Sequence, residues 1–162
     1  MEMKGKISYD DNYLSQSDFM YVHDYCNDAQ YSYGEIDDDK LPPTGMIHEI
    51  NPNDKISDLF TRQLTRKCSF LKGMNCYRMY VNCFAPSEIP YFHTDGEGIT
   101  FLYYPNLEWN LQDGGETQFY VDGNILGVPP VPNRLVMFDG EIVHRATSFR
   151  DRHRFTVAIK YT

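Results

Sequence analysis

No stretch of the 162 residues approaches the run of about 20 apolar side chains that a membrane-spanning helix requires, so no span is predicted. Basic charge is scarce as well: 15 Lys and Arg stand against 23 Asp and Glu, for a net charge of -8. Without a basic stripe the chain cannot displace counterions from a phosphate backbone, which argues against a nucleic-acid partner. Cysteine is limited to Cys26, Cys68, Cys76 and Cys83. None forms a Cys-x-x-Cys pair, and all four are read as free thiols. The opening Met1-Glu2-Met3-Lys4-Gly5-Lys6 has no apolar segment after its charges, so a secretion signal is not expected and a cytoplasmic location is. Repeats, low-complexity tracts and interdomain linkers are also missing. Core material is plentiful: 41% hydrophobic and 15% aromatic content excludes a disordered chain. A single domain over 1–162 is expected, long enough to bury roughly two-thirds of its unfolded surface.

Two helices are predicted in the first third. Ser15 followed by Asp18 gives a capping signature, and Phe19, Val22, His23 and Cys26 then fall at helical spacing. After Asn53, Ile56, Leu59, Phe60 and Leu64 share one helical face. Between the helices, Met46 to Ile50 reads as a strand, and Asp37-Asp38-Asp39 before Pro42-Pro43 reads as a solvated loop. From Gly73 onward the period becomes two, with turns at Asp95-Gly96-Glu97-Gly98, Asp113-Gly114-Gly115, Asp122-Gly123 and Asp139-Gly140. Strands are predicted at about 76–84, 90–95, 99–105, 116–121, 125–129, 134–139, 142–148 and 152–161. The lead-in thus covers 1–72 and the strand-rich core 73–162. Eight strands after a helical lead-in predict a mainly β jelly roll whose one sheet is backed by helices.

Two strands have unusual faces. In 76–84, Tyr77, Met79, Val81 and Cys83 form an apolar side, whereas Arg78, Tyr80, Asn82 and Phe84 are too polar for a dry core. In 152–161, His153, Phe155, Val157, Ile159 and Tyr161 oppose Arg152, Arg154, Thr156, Ala158 and Lys160. Strand side chains alternate strictly, so the polar faces point to a hydrated lumen able to hold a small charged ligand.

His93-Thr94-Asp95 sets an imidazole and a carboxylate on one strand face, a pattern weak by itself. His144 in the seventh strand supplies a third ligand. Two His and one carboxylate leave three positions open on an octahedral metal, the facial arrangement of non-haem Fe(II) oxygenases. Those positions serve a bidentate 2-oxo acid and O2. Arg154, ten residues after His144 and with Thr156 on its face, suits the far carboxylate of 2-oxoglutarate through two parallel N–H bonds.

The stretch from about Tyr77 to Tyr161 resembles the catalytic core of the 2-oxoglutarate/Fe(II)-dependent oxygenases, in particular the prolyl-4-hydroxylase-like branch. The matching pieces are His93-Thr94-Asp95, Thr100-Phe101-Leu102-Tyr103-Tyr104, Gly114-Gly115-Glu116-Thr117-Gln118-Phe119, Arg134-Leu135-Val136-Met137-Phe138, His144 and Arg154-Phe155-Thr156. The resemblance implies a double-stranded β-helix with His93, Asp95 and His144 as metal ligands. Arg154 would be the 2-oxoglutarate anchor, with Thr156, Tyr104, Thr100 and Leu102 beside that cosubstrate. Phe84 stands where some relatives place a tyrosine, Asn133 where many have glycine, and Arg154 where many prolyl 4-hydroxylases carry lysine. The implied cofactors are Fe(II), 2-oxoglutarate and O2, with ascorbate as an auxiliary. The implied reaction hydroxylates a peptidyl residue or a small molecule, with release of succinate and CO2. Asp95 at the carboxylate position leaves no site for a halide, which favours hydroxylation over halogenation. The alternative is a metal-binding cupin-like jelly roll, an isomerase or ligand sensor, which has no need of Arg154.

Among the remaining residues, Arg78, Tyr80, Asn82 and Trp109 are candidates for the substrate mouth, with Glu108 near Trp109. Arg78 has an equal structural reading, pairing with an acid such as Glu116 or Asp139, and Trp109 has one as a cap on the sheet edge. His23, His48 and His153 are read as structural.

Overall fold

The computed structural model describes residues 6–36 and 40–162. The opening hexapeptide up to Gly5 and the acidic run 37–39, read above as a solvated loop, lie outside the described residues.

Ten strands and two α-helices follow in the order β1 (Ile7–Asp10), α1 (Gln16–Asp28), β2 (Ser32–Glu35), β3 (Thr44–Glu49), α2 (Lys55–Lys67), β4 (Cys76–Phe84), β5 (Ile99–Tyr103), β6 (Thr117–Val121), β7 (Asn124–Val128), β8 (Leu135–Asp139), β9 (His144–Arg145) and β10 (Arg154–Tyr161). A seven-stranded sheet has the order β1-β8-β5-β10-β4-β3-β2, and a three-stranded sheet the order β7-β6-β9. Every pairing is antiparallel. This is the jelly roll predicted from the alternating core, and the double-stranded β-helix that the resemblance implied. No helix among the described residues is long and apolar enough to cross a membrane.

The alternating faces explain the layering. Met79, Val81 and Cys83 of β4 and Phe155, Val157, Ile159 and Tyr161 of β10 form one core with Val22 and Cys26 of α1 and Ile56, Leu59, Phe60 and Leu64 of α2. The opposite faces of the same strands give Tyr80 and Ala158 to a second core between the sheets, with Leu102, Phe119, Val136 and Phe138. The helix starts follow the sequence too: Ser15 Oγ accepts from the Asp18 N–H at 3.2 Å. All four cysteines are free. Asn133 takes the left-handed conformation at φ 60°, and its amide ties Leu14 N and O to the turn before β8.

Several boundaries depart from expectation. The predicted strand 90–95 shrinks to an isolated bridge between His93 and His144, because Pro90 has no N–H to offer a ladder. The predicted strand 142–148 survives only as His144–Arg145. Past it the chain turns off, and Thr147 N bonds the Glu116 carbonyl at 3.1 Å. β1 and β2 were not predicted; they add the two edges of the larger sheet, where four-residue strands carry too short an alternation to register.

The tight turn after Asp95 is locked by two close approaches. Gly98, at φ +123°, has the Tyr161 carbonyl where a Cβ would sit, and a Cβ on Gly140 would lie 2.6 Å from Gly96 O. Asp95 N donates to Gly140 O at 2.8 Å, which fixes the backbone of the carboxylate that follows.

Candidate metal centre and active site

His93 and His144 are brought together by two reciprocal backbone bonds, each 2.9 Å, across the gap between the sheets. Their rings lie 4.5 Å apart between centroids. Asp95 closes the group, with Oδ1 3.7 Å from His93 Nε2 and Oδ2 3.6 Å from His144 Nε2. One ligand atom from each residue falls within 4.8 Å of the others.

The hydrogen bonds behind the rings select the tautomer. His93 Nδ1 faces the Tyr91 carbonyl at 3.0 Å, and His144 Nδ1 faces the Ile142 carbonyl at 2.8 Å. A carbonyl only accepts, so each Nδ1 carries the proton and each Nε2 turns a lone pair toward Asp95. This is the outer support that metal-ligating histidines need. Phe138 packs edge-on against His144 at 4.6 Å. Burial pushes the His144 imidazole down to about 4, against the pull of Asp95. For Asp95 burial acts upward. Its electrostatic contact with His144, the Lys160 ammonium and the Thr100 hydroxyl outweigh it and hold the carboxyl below its usual value. Two imidazoles that present Nε2 and a carboxylate held in its ionised form therefore converge, a donor set that fits Fe(II) or Mn(II) and leaves half an octahedron open.

Across the cavity, Arg154 is 1% exposed. Its Nε donates to Gly115 O at 2.7 Å, Nη1 to Thr156 Oγ1 at 2.7 Å and Nη2 to Thr117 Oγ1 at 2.9 Å. Three of five N–H groups are thereby used, and one remains on each terminal nitrogen. Burial lowers its pKa, with the Tyr104 phenol and Glu116 acting against that loss, yet among the described residues no carboxylate lies within ion-pair distance. A buried guanidinium without a counterion is costly unless a ligand supplies one. The shared cavity has an empty volume of about 440 Å³, part of it open to solvent.

The other predicted residues divide clearly. Tyr80, Asn82, Phe84, Leu102 and Thr156 line the cavity. Phe84 pairs in register with Arg154, and Asn82 with Thr156. The side-chain carbonyl of Asn82 is buried without a partner, an acceptor left for a polar occupant. Tyr104 lies behind Arg154, its centroid 5.4 Å from the guanidinium carbon and its hydroxyl 2.7 Å from Thr117 Oγ1. Thr100 reaches the metal ligands instead, donating to Asp95 Oδ2 at 2.6 Å. Arg78 and Trp109 lie outside the cavity wall. Arg78 pairs with Glu49 and Glu35, in place of the Glu116 or Asp139 considered from sequence. The Trp109 indole donates to Gly114 O at 2.9 Å, the edge-capping alternative. His23 bonds Pro105 O and Asn27. His48 bonds Gln30 O and the Tyr25 hydroxyl, and His153 is exposed.

Two residues were missed. Thr117 bonds both Arg154 and Tyr104; its place in the Gly-Gly-Glu-Thr piece was the available signal. Lys160 holds Asp95 Oδ1 at 2.8 Å. Its shared strand face with Arg154 was legible, but its partner 65 residues away was not.

No protein-family model matches the sequence, and no curated protein sequence matches it either. Solved structures do. A Pseudomonas putida prolyl-4-hydroxylase superposes with a TM-score of 0.80 at 17% identity, over 96% of this chain and 91% of that one. A Trichoplax adhaerens prolyl hydroxylase, in complex with a peptide fragment of the hypoxia inducible factor oxygen degradation domain, gives 0.74 at 18% identity, over 98% and 84%. The viral collagen prolyl hydroxylase of Paramecium bursaria Chlorella virus-1, a 2-oxoglutarate complex, gives 0.71 at 15% identity, over 98% and 97%. The chain shares the fold of these prolyl hydroxylases.

Proposed function

We propose that the protein is an Fe(II)- and 2-oxoglutarate-dependent dioxygenase that hydroxylates a peptidyl residue or a small molecule. One observation carries this reading. A buried Arg154, without a counter-carboxylate among the described residues, faces the same cavity as the convergent His93, Asp95 and His144. A dicarboxylate that chelates a metal at one end needs both features, and the cupin-like alternative needs only the first set.

His93 Nε2, His144 Nε2 and one oxygen of Asp95 would hold the metal. The two unused N–H groups of Arg154 would take the C5 carboxylate of 2-oxoglutarate, with Thr117 and Thr156 fixing the plane of the fork. Leu102, Tyr80 and Phe84 wall the cavity and exclude water, which strengthens these charge contacts. Fe(II) and 2-oxoglutarate, once bound, would supply the oxidation, in which O2, the cosubstrate and a C–H bond would give succinate, CO2 and an alcohol, while the protein contributes geometry and charge. Tyr80 and Asn82 stand on the same face of β4, line the cavity and are the residues proposed to meet the prime substrate. The peptide held by the Trichoplax neighbour supports a peptidyl side chain as one substrate class. Proline itself is a weaker inference, since Arg154 replaces the lysine of many prolyl 4-hydroxylases.

The test is succinate formation from 2-oxoglutarate in air with Fe(II) and ascorbate, without prime substrate, beside a mass-spectrometric search for +16 products in peptide and metabolite pools. Slow, His93-dependent succinate release is expected. Tight metal binding with no 2-oxoglutarate turnover under any substrate pool would overturn the oxygenase reading in favour of the cupin-like one.

A further inference from the structure

One buried cation beside the metal ligands has no part in the roles above. Lys160 leaves β10 on the same face as Arg154, six residues further on, and is only 8% exposed. Its Nζ sits 2.8 Å from Asp95 Oδ1 and 5.3 Å from the centre of the Tyr80 ring. The other Asp95 oxygen accepts from Thr100 at 2.6 Å. Lys160 and Thr100 are register partners on β10 and β5, so adjacent strands present one donor to each oxygen of the carboxylate.

Packing does not ask for an ammonium here. The inward neighbours Ala158, Leu102 and Phe138 are apolar and buried. An unbranched apolar residue would fill the space without the desolvation cost of a charge. Beyond its contact with the Tyr80 ring, what a lysine serves here and an apolar residue cannot is the bond to Asp95.

We propose that Lys160 is a positioning residue of the metal site. Its charge-assisted bond weakens Asp95 Oδ1 as a ligand more than the neutral Thr100 hydroxyl weakens Oδ2. Oδ2 with its remaining lone pair is therefore the better oxygen for the cation, and the ammonium withdraws part of the negative charge that the cation sees. The inference rests on reading His93, Asp95 and His144 as metal ligands. A carboxylate can bind a cation through one oxygen or both, and the two-oxygen mode consumes a coordination position. An N–H bond from an ammonium makes Oδ1 a poor ligand, which keeps that position for the cosubstrate or O2. The same positive charge repels a divalent ion nearby, so the site binds metal less tightly than its three ligands would alone.

Three full-length variants separate position from charge. Lys160→Met removes both, Lys160→Gln keeps a donor without charge, and Lys160→Arg keeps both. Mn(II) affinity is read from the free-ion EPR signal, and coordination from the visible absorption of the Co(II) protein with and without 2-oxoglutarate. Lys160→Met is expected to bind Mn(II) about tenfold tighter, a difference of about 1.4 kcal/mol. Its Co(II) spectrum should shift, and 2-oxoglutarate should perturb that spectrum less. Lys160→Gln should bind Mn(II) more tightly with the original Co(II) spectrum, and it serves if the Met variant does not fold. Lys160→Arg should restore both readouts. Unchanged or weaker Mn(II) affinity in the Met and Gln variants, with Mn(II) still bound by the unaltered protein, overturns this proposal alone. Failure of the unaltered protein to bind Mn(II) would overturn the metal reading and this proposal with it.

Discussion

Arg154→Met is the substitution that tests the cosubstrate site most directly. Methionine retains much of the unbranched stem and deletes the charge and the fork. In the native protein three N–H groups of Arg154 are spent on Gly115 O, Thr117 and Thr156, at 2.7 to 2.9 Å. The two that remain are the proposed partners of the C5 carboxylate. Leaving that carboxylate unpaired at the buried Arg154 end of the cavity costs roughly 2–5 kcal/mol, so the apparent 2-oxoglutarate constant should rise from about 30-fold to a few thousand-fold. The fold pays a smaller penalty: the buried Gly115 carbonyl loses its donor, about 1–3 kcal/mol, partly offset by removing an uncompensated charge. Metal binding should be unaltered, because the ligands stand at the other end of the cavity. The assay is succinate yield against 2-oxoglutarate concentration, with the Mn(II)-induced rise in melting temperature as the control for folding and metal. Arg154→Lys should fall between, since the charge survives and the bidentate fork does not. A near-normal 2-oxoglutarate requirement in Arg154→Met would refute the reasoning. The usual substitutes are already committed: Arg134 bonds Asp11 and Pro129 O, Arg152 bonds Asp113, and Lys160 bonds Asp95.

Further outcomes can be checked on the same protein. His93→Ala and His144→Ala should each abolish the melting-temperature rise given by Mn(II), because metal stabilises only the native state; an unchanged rise in both would remove the ligand assignment. His144 has a folded pKa of about 4, depressed from 6.5 by burial, so the unfolded chain binds its proton first as pH falls. Stability is then fully present above about 6.5 and is lost on descending toward 4, by up to about 3 kcal/mol. Denaturant midpoints at pH 7 and pH 5 should show the loss in the wild type and much less of it in His144→Gln. Arg78→Ala, which breaks the pairs with Glu49 and Glu35, should lower stability by about 1–3 kcal/mol and reduce coupled and uncoupled turnover alike. A selective loss of coupled hydroxylation would instead give Arg78 a role at the substrate.

The sequence by itself determined the parts of this protein that are periodic. Alternation along 76–84 and 152–161 assigned each side chain to the helix-backed core or to the lumen, because successive residues of a strand must face opposite ways. The same rule put His93 with Asp95 and Arg154 with Thr156. The Ser15 cap and the apolar face of α2 were equally local, and so equally legible. Tertiary structure decided whatever depends on a distant partner. His93 and His144 meet through a two-residue bridge and not through the full strands that their composition suggested, since Pro90 and the bend after Arg145 interrupt the ladder. Arg78 found Glu35 and Glu49 because β2, β3 and β4 are neighbours in the sheet, a pairing that no spacing along the chain encodes. Lys160 reached Asp95, and Thr117 reached Arg154, across 65 and 37 residues. A strand's period fixes which way a side chain points; only the closed sheet fixes what it meets.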